Sequence, residues 1–433
     1  MEPVFIFYLV VISFAILMVA GTPIFASLGV ASMLGIFIYG GISALGGIPD
    51  ILYRGLSSYS LISIPLFILM GEVIARTSIG GKLFNAFILW LNRLPGNLAV
   101  ASVGSSAVFG AMSGVSVAGA ATIGRFAIPE MLKRGYAPTL ASGTVAAAGA
   151  LALLIPPSIG FVLYGEVAGQ SIGRLFTAAV IPAILITGLM VLYVSVISNI
   201  NPNAAPRVSR DVLWSQRFRA IADIWSAVLL ILIVLGTIYF GITTPTEAAG
   251  LGAVGAFFIA GIFYRELSFA KVFEIFRSTA VTSGMIMLIL IAALLFGYLL
   301  TRLMIPQQLV ILVTELSLPA WATLILVVCF LLIIGMVLDI VSVIVITTPI
   351  LLPLMISLGY DPIWFGVIII ISCEVAAITP PVGLNLYVIK GIAPSVSLND
   401  IIRGAMPFVV LQIIAIIILA LFPSLALWLP SMM

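Results

Sequence analysis

Two Pro-Pro pairs, Pro156-Pro157 and Pro380-Pro381, interrupt stretches that are otherwise apolar. Proline lacks a backbone donor and clashes with the preceding turn, so a helix must break at each pair. Broken backbone at membrane depth persists only where protein packs around it or a polar cavity lies beside it. Residues 148–158 and 374–385 are therefore candidate discontinuous helices. Their freed carbonyls are hard ligands for a cation such as Na⁺, and half-helix N-termini facing the gap suit an anion. A structural kink would explain one pair. Two pairs, each opposite a stretch of small residues, point to ligand chemistry.

Those stretches supply the complementary groups. Within residues 97–129, Ser113-Gly114-Val115-Ser116 offers hydroxyls and a glycine that admits close backbone approach. Within residues 322–353, Asp339 sits between Gly335 and Ser342. A carboxylate in so apolar a setting is costly and marks a functional candidate, with helix capping as the structural alternative. Glu374 reads equally as an ion-site carboxylate or a packing partner. Ser158 ends the first break, while Thr379 and Asn385 flank the second with a hydroxyl and an amide. Arg125 is a candidate for attracting an anionic substrate; snorkelling or pairing with Glu130 is the alternative. Gly114, Ser116, Asn385 and Arg125 form the candidate substrate set. Ser113, Ser158, Asp339 and Thr379 are candidates for the cation.

Other chemistry is excluded by composition. The chain has no histidine, so it has no imidazole for a haem, a zinc site or a Ser–His–Asp triad. Its 2 cysteines, Cys329 and Cys373, cannot hold a four-thiolate cluster and read as buried, inert thiols. Walker-A and GxGxxG fingerprints are missing, which argues against ATP hydrolysis by this chain. No organic cofactor is expected, and a membrane-embedded enzyme is a remote alternative.

The elements that must position these groups are membrane helices. Of 433 residues, 63% are hydrophobic and 8% charged, where soluble domains are roughly half apolar and a quarter charged. Apolar runs predict spans near 4–21, 24–46, 60–76, 139–165, 175–198, 224–241, 245–263, 280–301, 362–388 and 405–428. The first run lacks a basic leader and reads as a span rather than a signal peptide. If 97–129 and 322–353 are re-entrant hairpins and the N-terminus is outside, the 18 Lys and Arg residues divide sharply. Only Arg54, Arg174 and Arg302 fall outside, Arg125 lies within the first hairpin, and the rest face the cytoplasm, Arg207 and Arg210 among them. This is the positive-inside pattern.

The chain also repeats. Pro129 to Pro138 (PEMLKRGYAP) matches Pro353 to Pro362 (PLMISLGYDP) at an offset of 224, as do the two Pro-Pro pairs. Thr22-Pro23 matches Thr244-Pro245, and Ile181-Pro182 matches Met406-Pro407, at nearly the same offset. A collinear series of this kind is a duplication. Each unit holds five spans and a hairpin, so the odd number of crossings inverts the second copy. The expected fold is an all-α polytopic membrane protein: a first repeat over 1–200, a cytoplasmic linker over 201–220, and a second repeat over 221–433. Both termini are expected outside.

Several motifs resemble the large membrane subunit of tripartite ATP-independent periplasmic (TRAP) transporters. They are SGVSVA (113–118), IPEMLKRGY (128–136), TPILLPL (348–354), LGYDP (358–362) and above all EVAAITPPVGLN (374–385). Thr22-Pro23, PLFILMG (65–71) and TPTEAA (244–249) fit as well. The resemblance implies a subunit of the bacterial inner membrane that imports organic acids on a sodium gradient: C4-dicarboxylates, sialic acid, or other sugar and keto acids. It implies a scaffold with a transport domain moving as an elevator. A four-helix small membrane subunit and a soluble periplasmic binding protein are the implied partners, and with no fused extension in view the small subunit is expected as a separate chain. Ser113, Gly335, Ala376, Thr379 and Val382 would contribute to the sodium sites, several through backbone carbonyls. Val115 stands where the family often has serine, which leaves backbone ligation at that position. A self-sufficient sodium/carboxylate carrier or anion exchanger of related architecture is the alternative reading.

Overall fold

The computed structural model describes residues 2–206 and 212–432, so Arg207 and Arg210 lie outside the described residues. The described chain is helical, with no strand among the described residues. Among the described residues, six helices are long and apolar enough to span a bilayer: Ile24–Leu45, Ile172–Ile200, Pro245–Phe263, Phe269–Arg302, Ile340–Ser357 and Leu398–Leu421. The chain is a multi-pass membrane protein.

The element series runs twice. Pro3–Val19 and Ile24–Leu45 lead into the bent pair Ile48–Leu56 and Tyr59–Ala75, whose halves differ by 59°. Then come Ile79–Trp90, the helix pair Asn97–Ser113 and Ser116–Lys133, the broken span Pro138–Ala150 and Ile159–Ala168, and Ile172–Ile200. The second run is Trp225–Tyr239, Pro245–Phe263, Phe269–Arg302, Ile305–Glu315, the pair Ala320–Gly335 and Ile340–Ser357, the broken span Pro362–Ala377 and Leu384–Ile392, and Leu398–Leu421.

The expected spans need correction at two places, and part of the expected linker is helical. Ile79–Trp90 and Ile305–Glu315 were not among the expected spans, because each mixes apolar residues with polar ones and is too short to cross a bilayer. The expected linker over 201–220 contains most of the helix Trp214–Asp223, which meets Trp225–Tyr239 at 51°. The span expected at 280–301 starts a full three turns earlier, at Phe269, where Ser268 caps it by accepting the Lys271 N–H.

The duplicated Gly-Tyr-X-Pro motifs explain how hairpin passes into broken span. Gly135 (φ +79°) and Gly359 (φ +87°) adopt the left-handed conformation that ends a helix. The following Tyr136 and Tyr360 N–H groups then close onto Met131 O and Met355 O, both at 3.0 Å. Pro138 and Pro362 open the next helix, where a missing N–H costs nothing. Tyr136 also pins the feet of the first hairpin: its hydroxyl donates to Asn97 Oδ1 (3.2 Å) and accepts from Leu98 N–H (3.4 Å). Burial raises the Tyr136 phenol above its ordinary pKa, so it remains a neutral donor.

Small residues let these elements approach closely, as helices in lipid require. Gly143 and Gly404 lie backbone to backbone, so the first broken span and Leu398–Leu421 touch without room for a Cβ on either. A Cβ on Gly110 would meet Ala152 Cα at 2.6 Å, which seats the first hairpin against the first break. Of the two cysteines, Cys373 is buried but Cys329 is exposed, against expectation. Ala320–Gly335 is apolar all round, so composition does not reveal which of its faces packs inward.

Candidate functional site

Each hairpin tip meets a break. The first turns at Gly114 (φ +62°), whose carbonyl accepts the Ile159 N–H at 3.5 Å. A Cβ there would lie 2.7 Å from Pro157 O, so the tip rests directly on the Pro-Pro segment. The second hairpin turns through 336–339, and Met336 O accepts the Val382 N–H at 3.3 Å. Both Pro-Pro peptide bonds are cis. The breaks fall between half-helices of 13 and 10 residues in the first span and of 16 and 9 in the second. A tip that meets such a break stops part-way along the span.

At the first tip, Ser113 and Ser158 are 1% and 0% exposed. Neither hydroxyl has a hydrogen-bond partner among the described residues, and the same is true of Thr144 and Ser106. Buried hydroxyls ordinarily find partners, and an orphan costs about 1–3 kcal/mol. Of these, Ser113 and Ser158 flank the contact between Gly114 and the Pro157–Ser158 backbone, and their oxygens are suited to a cation. Ser116 is drawn elsewhere: Asn385 Nδ2 donates to its Oγ (2.8 Å) and to Ala146 O (3.3 Å), and Ser116 Oγ lies 3.2 Å from Asn385 Oδ1.

At the second tip, Gly335, Met336, Asp339, Ala377, Val382 and Gly383 help line a cavity of about 30 Å³. That is the scale of one water or one dehydrated cation. Asp339 caps the helix Ile340–Ser357: Oδ2 accepts the Ser342 N–H (3.2 Å) and Oδ1 accepts its hydroxyl (2.5 Å). Thr379 Oγ1 donates to Val375 O (2.6 Å), while Thr379 N–H closes on Ala376 O (3.1 Å). A Cβ on Gly335 would meet Ala376 Cβ at 2.6 Å, so the second hairpin also touches its broken span at van der Waals distance.

Gly335, Asp339, Ala376, Thr379 and Val382 therefore gather at one tip, and Ser113, Gly114 and Ser158 at the other. Arg125 joins neither. It is exposed and follows Ser116 by nine residues on one helix, about 13 Å along the axis at ~1.5 Å per residue. There it lines a groove of about 450 Å³ with Phe84, Asn85, Phe126 and Lys133. Glu130 is not its partner: the ion pair is to Arg134, at 2.5 Å. Sequence reasoning missed the tie made by Glu374. This carboxylate is 0% exposed, and its Oε1 accepts the Leu154 N–H of the first break at 3.0 Å. No side-chain pattern marks Leu154, because it contributes only backbone.

Paired breaks, each met by a hairpin tip inside a bundle of apolar helices, are an arrangement in which membrane transporters hold ions and substrates. The family model described as "Tripartite ATP-independent periplasmic transporter, DctM component" matches residues 11–425, and the chain belongs to that family. The C4-dicarboxylate TRAP transporter large permease protein DctM of Pseudomonas aeruginosa is 35% identical over 88% of each chain. The isethionate TRAP transporter permease protein DctMQ of Oleidesulfovibrio alaskensis is 34% identical over 95% of this chain and 64% of its own. The fold is shared with the YdaH transporter of Alcanivorax borkumensis, known from a crystal structure. The TM-score is 0.61 at 15% identity, over 90% of this chain and 88% of that one.

Proposed function

We propose that this chain is the sodium-coupled transport subunit of a three-part importer for an organic anion. The observation that carries this reading is the pairing of each hairpin tip with a Pro-Pro break, with the orphan hydroxyls of Ser113 and Ser158 at one and the Asp339-lined cavity at the other. Na⁺ is cargo here. At the first tip it is held by Ser113 and Ser158 oxygens. At the second it is held by Asp339 and by backbone carbonyls near Gly335, Ala376, Thr379 and Val382. Hard oxygen donors without thiol or imidazole suit a monovalent hard cation.

The substrate is an organic acid, of the class to which the C4-dicarboxylate and isethionate of the relatives belong. It binds beside the Gly114–Ser116 turn and Asn385, where the helix beginning at Ser116 turns its N-terminus to the gap. Arg125, about 13 Å below, acts along the route to the cytoplasm rather than in the site. The hairpins and broken spans move as one elevator body against the remaining helices. The chain sits in the inner membrane with both termini in the periplasm. A soluble periplasmic protein delivers the substrate, and a small four-helix membrane subunit completes the complex.

The test is uptake of radiolabelled organic acids into proteoliposomes holding this chain and its small subunit. Uptake that needs both an inward Na⁺ gradient and the binding protein is the expected result. Uptake by this chain alone would instead mean a self-sufficient carrier, and uptake indifferent to Na⁺ would remove the sodium sites.

A further inference from the structure

The two half-sites are tied together by polar bonds that run one way. Glu374, on the last turn of Pro362–Ala377 before the second break, reaches across to the Leu154 N–H at 3.0 Å, within the first break. Asn385, just after the second break, reaches Ser116 and Ala146 O. At the repeat offset of 224 their counterparts are Ala150 and Phe161, which have no side chain able to return either bond. The result is one continuous path. Gly114 O holds Ile159 N–H, Leu154 N–H is held by Glu374, and Val382 N–H is held by Met336 O.

A fully buried carboxylate gives up much hydration and here makes a single hydrogen bond, with Oε2 unpartnered among the described residues. If packing were its only task, an apolar side chain would serve better. We propose that Glu374 is a positioning residue. Through Leu154 it locks the first break to the second, so that a cation bound at one hairpin tip sets the geometry of the other and Na⁺ binds cooperatively. This rests on the sodium reading above. The bond joins two backbone breaks that the hairpin tips contact directly, which gives the coupling a contiguous route.

Two variants separate the acceptor from the rest of the side chain. Glu374→Gln keeps a carbonyl for Leu154; Glu374→Met keeps length and volume without it. With equilibrium Na⁺ binding to the reconstituted chain as readout, wild type and Gln should show sigmoidal Na⁺ curves. Met should show a hyperbolic curve with half-saturating Na⁺ raised about fivefold or more. A wild-type slope in Met overturns the proposal. So does a slope lost as fully in Gln as in Met, which would make charge rather than the acceptor the need. Should the Met variant not fold, hydrogen exchange on the wild type decides. Peptides covering 151–161 and 376–386 should gain protection at one shared Na⁺ half-point, and two separate half-points overturn the coupling. A wild type with no Na⁺ response removes the sodium reading itself, an outcome distinct from the loss of coupling alone.

Discussion

Asp339 is both a helix cap and a candidate ligand, and its geometry shows how to separate the two. The cap needs one acceptor for the Ser342 N–H, and asparagine supplies that as well as aspartate does. Asp339→Asn keeps that bond but loses the second oxygen that accepts the Ser342 hydroxyl, so the sodium-free protein should lose about 1 kcal/mol while its stabilisation by Na⁺ shrinks. Thermal unfolding with and without Na⁺ measures both. An unchanged Na⁺ response would confine Asp339 to capping. Thr379 presents the reverse case, since its hydroxyl proton is already committed to Val375 O and only its lone pairs remain for a cation. Thr379→Val should cost about 1 kcal/mol for the lost hydrogen bond and raise half-saturating Na⁺ in uptake. Ser113, Ser158, Asp339 and Thr379 could be singled out as candidates because each carries an oxygen beside a Pro-Pro pair or a hairpin turn, whereas Gly335, Ala376 and Val382 entered through the family resemblance alone. Leu154, Ala146 and Met336 could not, because each takes part through backbone atoms that every residue possesses.

At the scale of elements, the sequence announced its breaks more clearly than its short helices. Proline pairs and Gly-Tyr-X-Pro turns impose backbone geometry locally, so the broken spans and hairpins fell close to where the residues placed them. Ile79–Trp90 and Ile305–Glu315 went unread because their half-apolar pattern matches neither a span nor a loop. They stand 226 residues apart, so the repeat offset was the signal that could have found them. The contact between tip and break is the element-level feature most open to test. Gly114→Ala would hold an L-residue in left-handed backbone, at a cost of roughly 1–2 kcal/mol. It would also drive a Cβ to within 2.7 Å of Pro157 O. The expected outcome is a folded, less stable protein whose uptake is lost, read by thermal unfolding alongside transport. Normal uptake by that variant would mean that the tip need not seat on the break.

For the whole molecule the question is whether the second run of elements is inverted. The charge distribution argues that it is. Arg93, Lys133 and Arg134 crowd the feet of the first hairpin, whereas no Lys or Arg occurs anywhere from residue 303 to 389, a stretch that includes both feet of the second. Positive residues are retained on the cytoplasmic side of bilayers, so the two hairpins should open on opposite faces. Lys133 and Ser357 make the sharpest probe: both are exposed, both end the return leg of a hairpin, and they are separated by the repeat offset of 224. With the exposed native Cys329 first replaced by serine, Lys133→Cys should react with a membrane-impermeant maleimide only from the cytoplasmic side. Ser357→Cys should react only from the periplasmic side, as compared in inside-out and right-side-out vesicles. Labelling of both from one face would mean a parallel duplication. The two tips would then no longer approach the breaks from opposite sides of the membrane, and alternating access by an inverted pair would lose its structural basis.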